Sequence, residues 1–527
     1  MEVPLLLMDF LDRAVKLYGD KTAVIDDEKS LTYSELEGRV NRLSHGLKDL
    51  GAEKGDRIAY LAPNTLEMLE GFYGVFQTGG IMVPLNIRLT PEDYLYILNH
   101  SESKLLFVDE ELYHLIKPII KDLETVEKII VHNGKKDGPE TAYDDWLSQY
   151  PETSFKRADL DENDVCSLLY TSGTTGKPKG VMLTHRNNYL HALSVQHHLR
   201  VSDSDVYLHV LPMFHVNGWG GPFYYTGNGA THVMLRKAVP EVIVDKLQKH
   251  GVTSMHMAPT VLNSLLQYAE QNKPVHEQDV RVVIAGSAPP PSFVSRVEDE
   301  LGWEFIQVYG MTESAPLSTF SIPRAQHHGL PKETLHRLKA KAGYPMIGTD
   351  VKVVNDHGDE VAWNSQEIGE VLTRGNGVMK GYWKNDEATM AAIRNGWLHT
   401  GDMAVVDELG NIEIVDRKKD IIISGGENIS SIEVEGVLYE HPQVVEAAVI
   451  AVPHEKWGET PHAFVVKKEG EELTEQDLIA FAREHLAHFK APTAVTFVEE
   501  LPKTASGKIQ KVQLRKEFWE GKERLVN

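Results

Sequence analysis

The sequence predicts an α/β protein in two parts. The first is a large N-terminal domain of mostly parallel sheets with helices and a small β unit. The second is a small C-terminal α+β domain. Three observations carry this. Apolar, strand-like runs alternate with helical patterns through the first half of the chain. Short strand-like runs bounded by glycine replace that alternation beyond about residue 340. From about 418 the pattern becomes that of a compact α+β module, so the expected domains are 1–417 and 418–527.

The elements follow in order. Residues 1–19 read as an amphipathic helix covering the body, with an apolar run at 5–8. Thr32 and Glu35 form a capping box. It opens a helix whose Leu36, Val40, Leu43, Leu47 and Leu50 recur at spacings of 4, 3, 4 and 3, and Gly51 is its natural stop. A strand at 57–62 precedes a helix across 66–76. Residues 104–108, 128–132, 165–171, 252–257, 280–285 and 305–309 read as further strands. The small β unit draws on 351–354, 370–373, 403–406 and 412–415. Residues 502–524 carry Lys503, Lys508, Lys511, Arg515, Lys516, Lys522 and Arg524 against three glutamates. Apart from Lys508, these charges read as a solvated helix end.

Composition limits the function classes. The chain has 527 residues, 42% of them hydrophobic and 25% charged, which is ordinary for a globular protein with a large core. Its net charge of −23 repels nucleic acid and anionic lipid over much of the surface, so a site for an anionic ligand must be built locally. The single cysteine, Cys166, excludes an intramolecular disulfide framework and a Cys-rich zinc site. Histidine pairs such as His197-His198 and His327-His328 lack zinc spacing and read as surface or structural. No stretch approaches the about 18 uncharged apolar residues of a membrane span. The N-terminal apolar run is too short for a signal peptide, Met1-Glu2 excludes myristoylation, and the last three residues match neither a prenylation nor a peroxisomal signal. A cytoplasmic enzyme is the expectation.

The strongest local signal is YTSGTTGKPKG at 170–180, directly after the apolar run 165–169. Its glycines let the backbone fold closely round a ligand. Its hydroxyls and exposed amides can donate to phosphate oxygens, and Lys177 and Lys179 add positive charge. This is the logic of a phosphate cradle. The spacing is not that of a Walker A loop, and Pro178 stands where that loop has Ser or Thr, which argues against a conventional P-loop ATPase.

The string resembles the signature of the adenylate-forming superfamily: acyl-CoA synthetases, luciferases and nonribosomal adenylation domains. QVYGMTE at 307–313, TGD at 400–402, DRKKDIIISGGENI at 416–429 and PKTASGK at 502–508 resemble that family's later motifs, in its order. The match runs from about 170 to 510, and residues 1–150 fit the family's N-terminal half in pattern.

The resemblance implies two steps: acid and ATP give acyl-AMP and pyrophosphate, and acyl-AMP and a thiol give a thioester and AMP. By the same resemblance Thr171, Ser172, Gly173, Thr174, Thr175, Gly176 and Lys179 hold the β- and γ-phosphates. Thr312 contacts the α-phosphate and Glu313 helps hold Mg²⁺, a hard cation that takes oxygen ligands. Tyr309 and the 286–288 stretch, Gly286, Ser287 and Ala288, wall the adenine, with Gln307 and Gly310 on the same motif. Outside the family, Tyr309 reads as a half-buried core aromatic. Asp402 accepts from both ribose hydroxyls and Arg417 donates to the same sugar. Lys508, carried by a mobile C-terminal domain, sits between the substrate carboxylate and the α-phosphate and neutralises both as they approach. Lys419 takes the hinge position between two enzyme conformations.

Two features favour coenzyme A as the thiol. Gly425 and Gly426 match the loop that lines the pantetheine tunnel in acyl-CoA synthetases, and Trp457 resembles a residue beside it, although a structural tryptophan fits equally. The stretch MFHVNGW at 213–219 resembles the motif whose His, here His215, closes the acyl site. Val216, Trp219 and Met311 complete the expected acyl pocket, with Trp219 at the gate position of long-chain fatty acyl-CoA synthetases. A medium-to-long-chain fatty acid is the favoured substrate. Short, sulfur-containing or aryl acids are the alternative, because relatives acting on such acids share the pattern. A carrier protein in place of CoA, a luciferase-like oxidation, and a silent nucleotide-binding regulator are the other readings. The last conflicts with the presence of Thr312, Glu313, Asp402, Arg417 and Lys508 together. Homodimers are common among such enzymes, by analogy only.

Overall fold

The computed structural model describes residues 2–133, 141–171, 177–272, 279–286, 289–425, 427–468, 470, 472–503 and 509–519. The amphipathic start is helix Met8–Tyr18, which buries Phe10, Leu11 and Ala14. Helix Tyr33–Asp49 opens on the expected capping box: the Glu35 amide donates to Thr32 Oγ1 and the Thr32 amide to Glu35 Oε2. Leu36, Val40, Leu43 and Leu47 point into the core. Helix Leu66–Gln77 is buried on every side, as a helix apolar all round must be. It carries Glu70 inside, where Arg39 donates to both carboxylate oxygens at 2.7 and 3.0 Å.

Among the described residues the strands form four sheets. The inner strands of the first are Thr22–Asp26, Thr231–Val233, Val206–Leu208, Ser254–Met257, Arg281–Ile284 and Glu304–Gly310, all parallel. Antiparallel strands Lys29–Thr32, Leu317–Ser321 and Tyr344–Pro345 close its ends. The second sheet runs Val165–Thr171, Ile81–Pro84, Arg57–Leu61, Ser103–Asp109 and Lys128–His132 in parallel. Lys179–Thr184 folds back antiparallel on Val165–Thr171 and receives Gly381–Tyr382 on its outer side. One apolar cluster joins residues of both sheets with the helices between them, including Leu36, Phe72, Val181, Phe223 and Val308.

The small β unit is antiparallel: Thr349–Val354, Gly369–Gly375, Trp397–Val406, Ile393–Arg394 and Ile412–Arg417. The last sheet holds Ile422–Ser424, Glu427–Ile429, Val444–His454, Gly458–Lys467 and Ala494–Phe497. With helices Ser431–Tyr439 and Glu475–His485 it encloses an apolar cluster of its own around Ile422, Val434, Val449, Val465 and Leu478. The predicted fold class is the one observed.

The basic stretch near the end departs from the expected solvated helix end. In helix Lys511–Trp519, Lys511 is largely buried 2.7 Å from Glu435 and donates to Ser431 Oγ. Burial alone would lower its ammonium, but Glu435, Asp416 and Asp420 outweigh it and hold it above its ordinary value. Arg515 pairs with Asp420 and donates to the Lys419 carbonyl at 2.9 Å. The carboxylates lie far away in sequence, so local charge counting could not find these partners. No helix among the described residues is long and apolar enough to cross a membrane.

Candidate active site

The site grows from strand ends. Glu304–Gly310 reverses into Leu317–Ser321, and Gly310 faces Leu317 after a register shift. A Cβ on Gly310 would stand 1.8 Å from the Pro316 carbonyl oxygen, so only glycine fits there. Ser314 Oγ accepts from the Met311 amide at 3.2 Å and donates to the Pro316 carbonyl at 2.8 Å. The tip of this hairpin holds Thr312 and Glu313 inside the protein, Glu313 being 7% exposed. Met311 is half-buried beside them. Tyr382 Oη donates to Glu313 Oε1 at 2.8 Å. Burial raises the Glu313 carboxyl above its usual range, against the pull of Tyr382 and Arg417. The backbone of Glu313 itself also hydrogen-bonds its carboxylate. A buried carboxylate supplies the hard oxygen ligands that fit Mg²⁺.

At the other end of the motif, Tyr309 Oη donates to Asp402 Oδ2 at 2.8 Å. Burial and the Asp402 carboxylate keep that phenol well above its ordinary value. Asp402 and Arg417 are cross-strand partners in the β unit, with Nε 3.5 Å from Oδ1. Thr400 and Gly401 build the turn that presents Asp402. Thr400 Oγ1 donates to the Val371 carbonyl and accepts from the Asp402 amide, and Gly401 adopts φ +71°. The Lys418 amide donates to the Gly401 carbonyl at 2.8 Å, joining the hinge motif to this turn. Lys419 is half-buried, and burial lowers its ammonium.

The phosphate-loop string begins and ends on two paired strands. Thr171 and Lys179 are partners in the antiparallel register. Lys179 Nζ lies 5.0 Å from the centre of the Tyr382 ring. Gln307 is buried in its strand, and Gly286 follows the strand Arg281–Ile284 at φ +110°. Ser172, Gly173, Thr174, Thr175, Gly176, Ser287, Ala288, Gly426 and Lys508 lie outside the described residues.

The acyl-pocket segment holds an unexpected turn. Val216, Asn217, Gly218, Trp219 and Gly220 all have positive φ, at 48°, 52°, 58°, 55° and 77°. Left-handed geometry costs a non-glycine residue about 1–2 kcal/mol. Asn217 helps hold it, donating to Ser167 Oγ at 3.1 Å and Asn188 Oδ1 at 3.2 Å. Half-buried His215 opens the turn, Val216 is buried, and Trp219 is turned inward, 4% exposed. Its ring stacks on His256 with centroids 5.8 Å apart. Tyr207 Oη lies 3.2 Å from His256 Nδ1 and Tyr224 Oη 3.4 Å from Nε2. Burial pushes the His256 imidazole down to about 3, so it is neutral at ordinary pH. His256, Tyr207 and Tyr382 escaped the sequence analysis. His256 sits in a predicted strand, but no spacing rule joins it to residue 219.

Gly425 and Trp457 are neighbours. Gly425 adopts φ +63°, its amide donates to the Trp457 carbonyl at 2.8 Å, and a Cβ on it would approach Trp457 Cε3 to 2.9 Å. Trp457 is 47% exposed, with Lys456 Nζ 4.4 Å over its ring.

A parallel-sheet body with a buried carboxylate beyond the end of one strand, and an Asp–Arg pair of the β unit bonded to that same motif through Tyr309, fits a nucleotide-dependent enzyme. Comparison with known proteins gives the family. The AMP-binding enzyme model matches residues 11–383 and the AMP-binding enzyme C-terminal domain matches residues 433–508. The chain belongs to this family and is an acid–thiol ligase of the adenylate-forming type. It is 38% identical to the peroxisomal trans-cinnamate:CoA ligase of Petunia hybrida, over 97% of this chain and 94% of that one. It is 40% identical to 4-hydroxybutyrate–CoA ligase 2 of Metallosphaera sedula, over 96% and 93%. Among solved structures, an anthranilate CoA ligase in complex with anthranoyl-AMP matches with a TM-score of 0.90 at 28% identity, covering 99% of this chain and 98% of that one.

Proposed function

We propose that the protein makes CoA thioesters of short-chain or aryl carboxylic acids at the expense of ATP, through an acyl-AMP intermediate. A carboxylate cannot expel its own oxygen toward a thiol, and transfer of AMP supplies a leaving group. The observation that carries the reading is the meeting of distant motifs at one place. The Tyr309–Asp402 bond joins the 307–313 hairpin to the β unit, and the Tyr382–Glu313 bond joins it to the short strand paired with the one that leaves the phosphate loop.

The roles follow from chemistry and position. Asp402 and Arg417 take the ribose, and Tyr309 lies beside the base. Thr171, Lys179 and the loop between them receive the phosphates, and Thr312 meets the α-phosphate. Glu313 would hold Mg²⁺, which supplies positive charge to the phosphates when bound. Lys508 neutralises the two anions that must meet in the first step. The domains are 1–417 and 418–527. Lys419 is the hinge between them, and its turning exchanges Lys508 for the face carrying Gly425, Gly426 and Trp457, where CoA enters. His215 borders the acyl site on the thiol side, next to Val216, Trp219 and Met311.

The acid is the point on which this proposal moves away from the sequence reading. A medium-to-long fatty acid needs a tunnel past residue 219. Trp219 instead rests on His256, which Tyr207 and Tyr224 hold in turn, and these residues are buried and uncharged. The acids named for the two relatives and the solved structure are cinnamate, 4-hydroxybutyrate and anthranilate, all short or aromatic.

ATP-dependent pyrophosphate release, measured across straight-chain acids from acetate to stearate and a set of aryl acids, with and without CoA, tests this. Release should be strongest with short or aryl acids, and CoA should yield the acyl-CoA. A maximum at long chains would overturn the pocket assignment, and release without acyl-CoA would overturn the thiol.

A further inference from the structure

Glu313 lies in the turn after strand Glu304–Gly310 of one sheet and Lys179 on a strand of another, yet one side chain touches both. We propose that Tyr382 is a positioning residue for the adenylation step: its hydroxyl orients Glu313 while its ring seats Lys179. This rests on the functional reading above. Strand Gly381–Tyr382 pairs antiparallel with Lys179–Thr184, and Tyr382 faces Val181 in that register. Lys179 and Val181 share a face of their strand, so the Tyr382 ring reaches Lys179 along the cross-strand diagonal. The ammonium stands 5.0 Å from the ring centre. Among the described residues Lys179 has no carboxylate partner, so the ring holds the cation without neutralising it.

The hydroxyl has a different task. It donates to Glu313 Oε1 at 2.8 Å. A buried carboxylate with neither oxygen satisfied would turn away or take up a proton. Tyr382 is itself fixed: it is 7% exposed, and its amide donates to Thr389 Oγ1 at 2.9 Å. The Met379 amide also donates to the Glu313 carbonyl at 2.8 Å, so the segment before Tyr382 grips the same residue by its backbone. One aromatic residue outside the five sequence motifs therefore sets the distance between the carboxylate and the cation that face the nucleotide.

Tyr382→Phe and Tyr382→Leu separate the two contacts. Three readouts are needed: calorimetric binding of ATP with and without Mg²⁺, single-turnover pyrophosphate release, and acyl transfer to CoA from supplied acyl-AMP. In Tyr382→Phe, metal-free ATP binding should be unchanged. The gain in affinity on adding Mg²⁺ should shrink, and adenylation should slow by about 10- to 100-fold, the scale of one hydrogen bond to a charged group. Transfer from acyl-AMP should keep its wild-type rate. Tyr382→Leu should also weaken metal-free ATP binding, through the loss of the Lys179 seat. Equal slowing of both half-reactions in Tyr382→Phe, or an unchanged response to Mg²⁺, would overturn the proposal. A wild-type protein that releases no pyrophosphate with any acid would instead overturn the functional reading on which it rests.

Discussion

Gly310 shows how tightly the 307–313 hairpin is made. A methyl group at that position would stand 1.8 Å from a backbone oxygen, so the reversal cannot form around it without a shift of the main chain. Gly310→Ala is predicted to lose at least about 3 kcal/mol of stability, read by chemical denaturation, together with pyrophosphate release. The motif pointed to this glycine, but its reason lies in a register shift that no sequence pattern displays. Asp26 illustrates the same limit. Its carboxyl accepts from the Leu66 amide at 2.9 Å, and burial, with Glu67 and Asp27 nearby, pushes it up to about 6. A folded-state value above the unfolded value of about 3.9 means the folded protein binds the proton more tightly. The resulting stability is present below about pH 4 and is lost as pH rises through about 6. Asp26→Asn keeps an acceptor for Leu66, so it should be more stable than wild type at pH 8, by about 3 kcal/mol, and no more stable at pH 4. Thermal melting at the two pH values reads the difference, and an equal effect at both would contradict the assignment.

At the scale of elements, helices and strands were legible wherever apolar periodicity met a cap or a glycine. Helix Tyr33–Asp49 starts on its predicted capping box, and the predicted strand 165–171 has the observed bounds. The left-handed turn at 216–220 was not legible. Four side chains and two glycines across 215–220 carry no signal of a positive-φ run, which depends on Asn217 reaching Ser167 and Asn188. That turn aims Trp219 at His256, so on the proposed reading the turn, and not Trp219 alone, sets chain-length selection. Trp219→Ala should open space toward His256 and raise kcat/KM for acids a few carbons longer, by about tenfold per well-filled pair of methylenes, while the KM for ATP stays put. An acid profile identical to wild type would remove Trp219 from the gate. Helix Lys511–Trp519 gives the opposite lesson, since its basic residues look solvated in sequence and are partnered by Asp420 and Glu435 in the fold.

For the whole molecule, the family and the two-step chemistry were legible because adenylation needs many groups on separate strands, and each leaves a motif. The acid was not, because Tyr207 and His256, which the proposal places behind Trp219, pack there without a motif. Arg515 joins the helix that follows Lys508 to the Lys419 carbonyl and to Asp420. On the proposed reading, in which Lys419 is the hinge, this helix is tied directly to the hinge residue. The central claim is that one chain runs two reactions that differ in their need for Lys508. The most direct test incubates wild type and Lys508→Ala with ATP and an aryl acid without CoA, measures acyl-AMP, and then supplies acyl-AMP and CoA to both. Wild type should accumulate acyl-AMP and Lys508→Ala almost none, while both convert supplied acyl-AMP to acyl-CoA at similar rates. Equal loss of the two half-reactions in Lys508→Ala, or acyl-AMP formation untouched by it, would contradict the account.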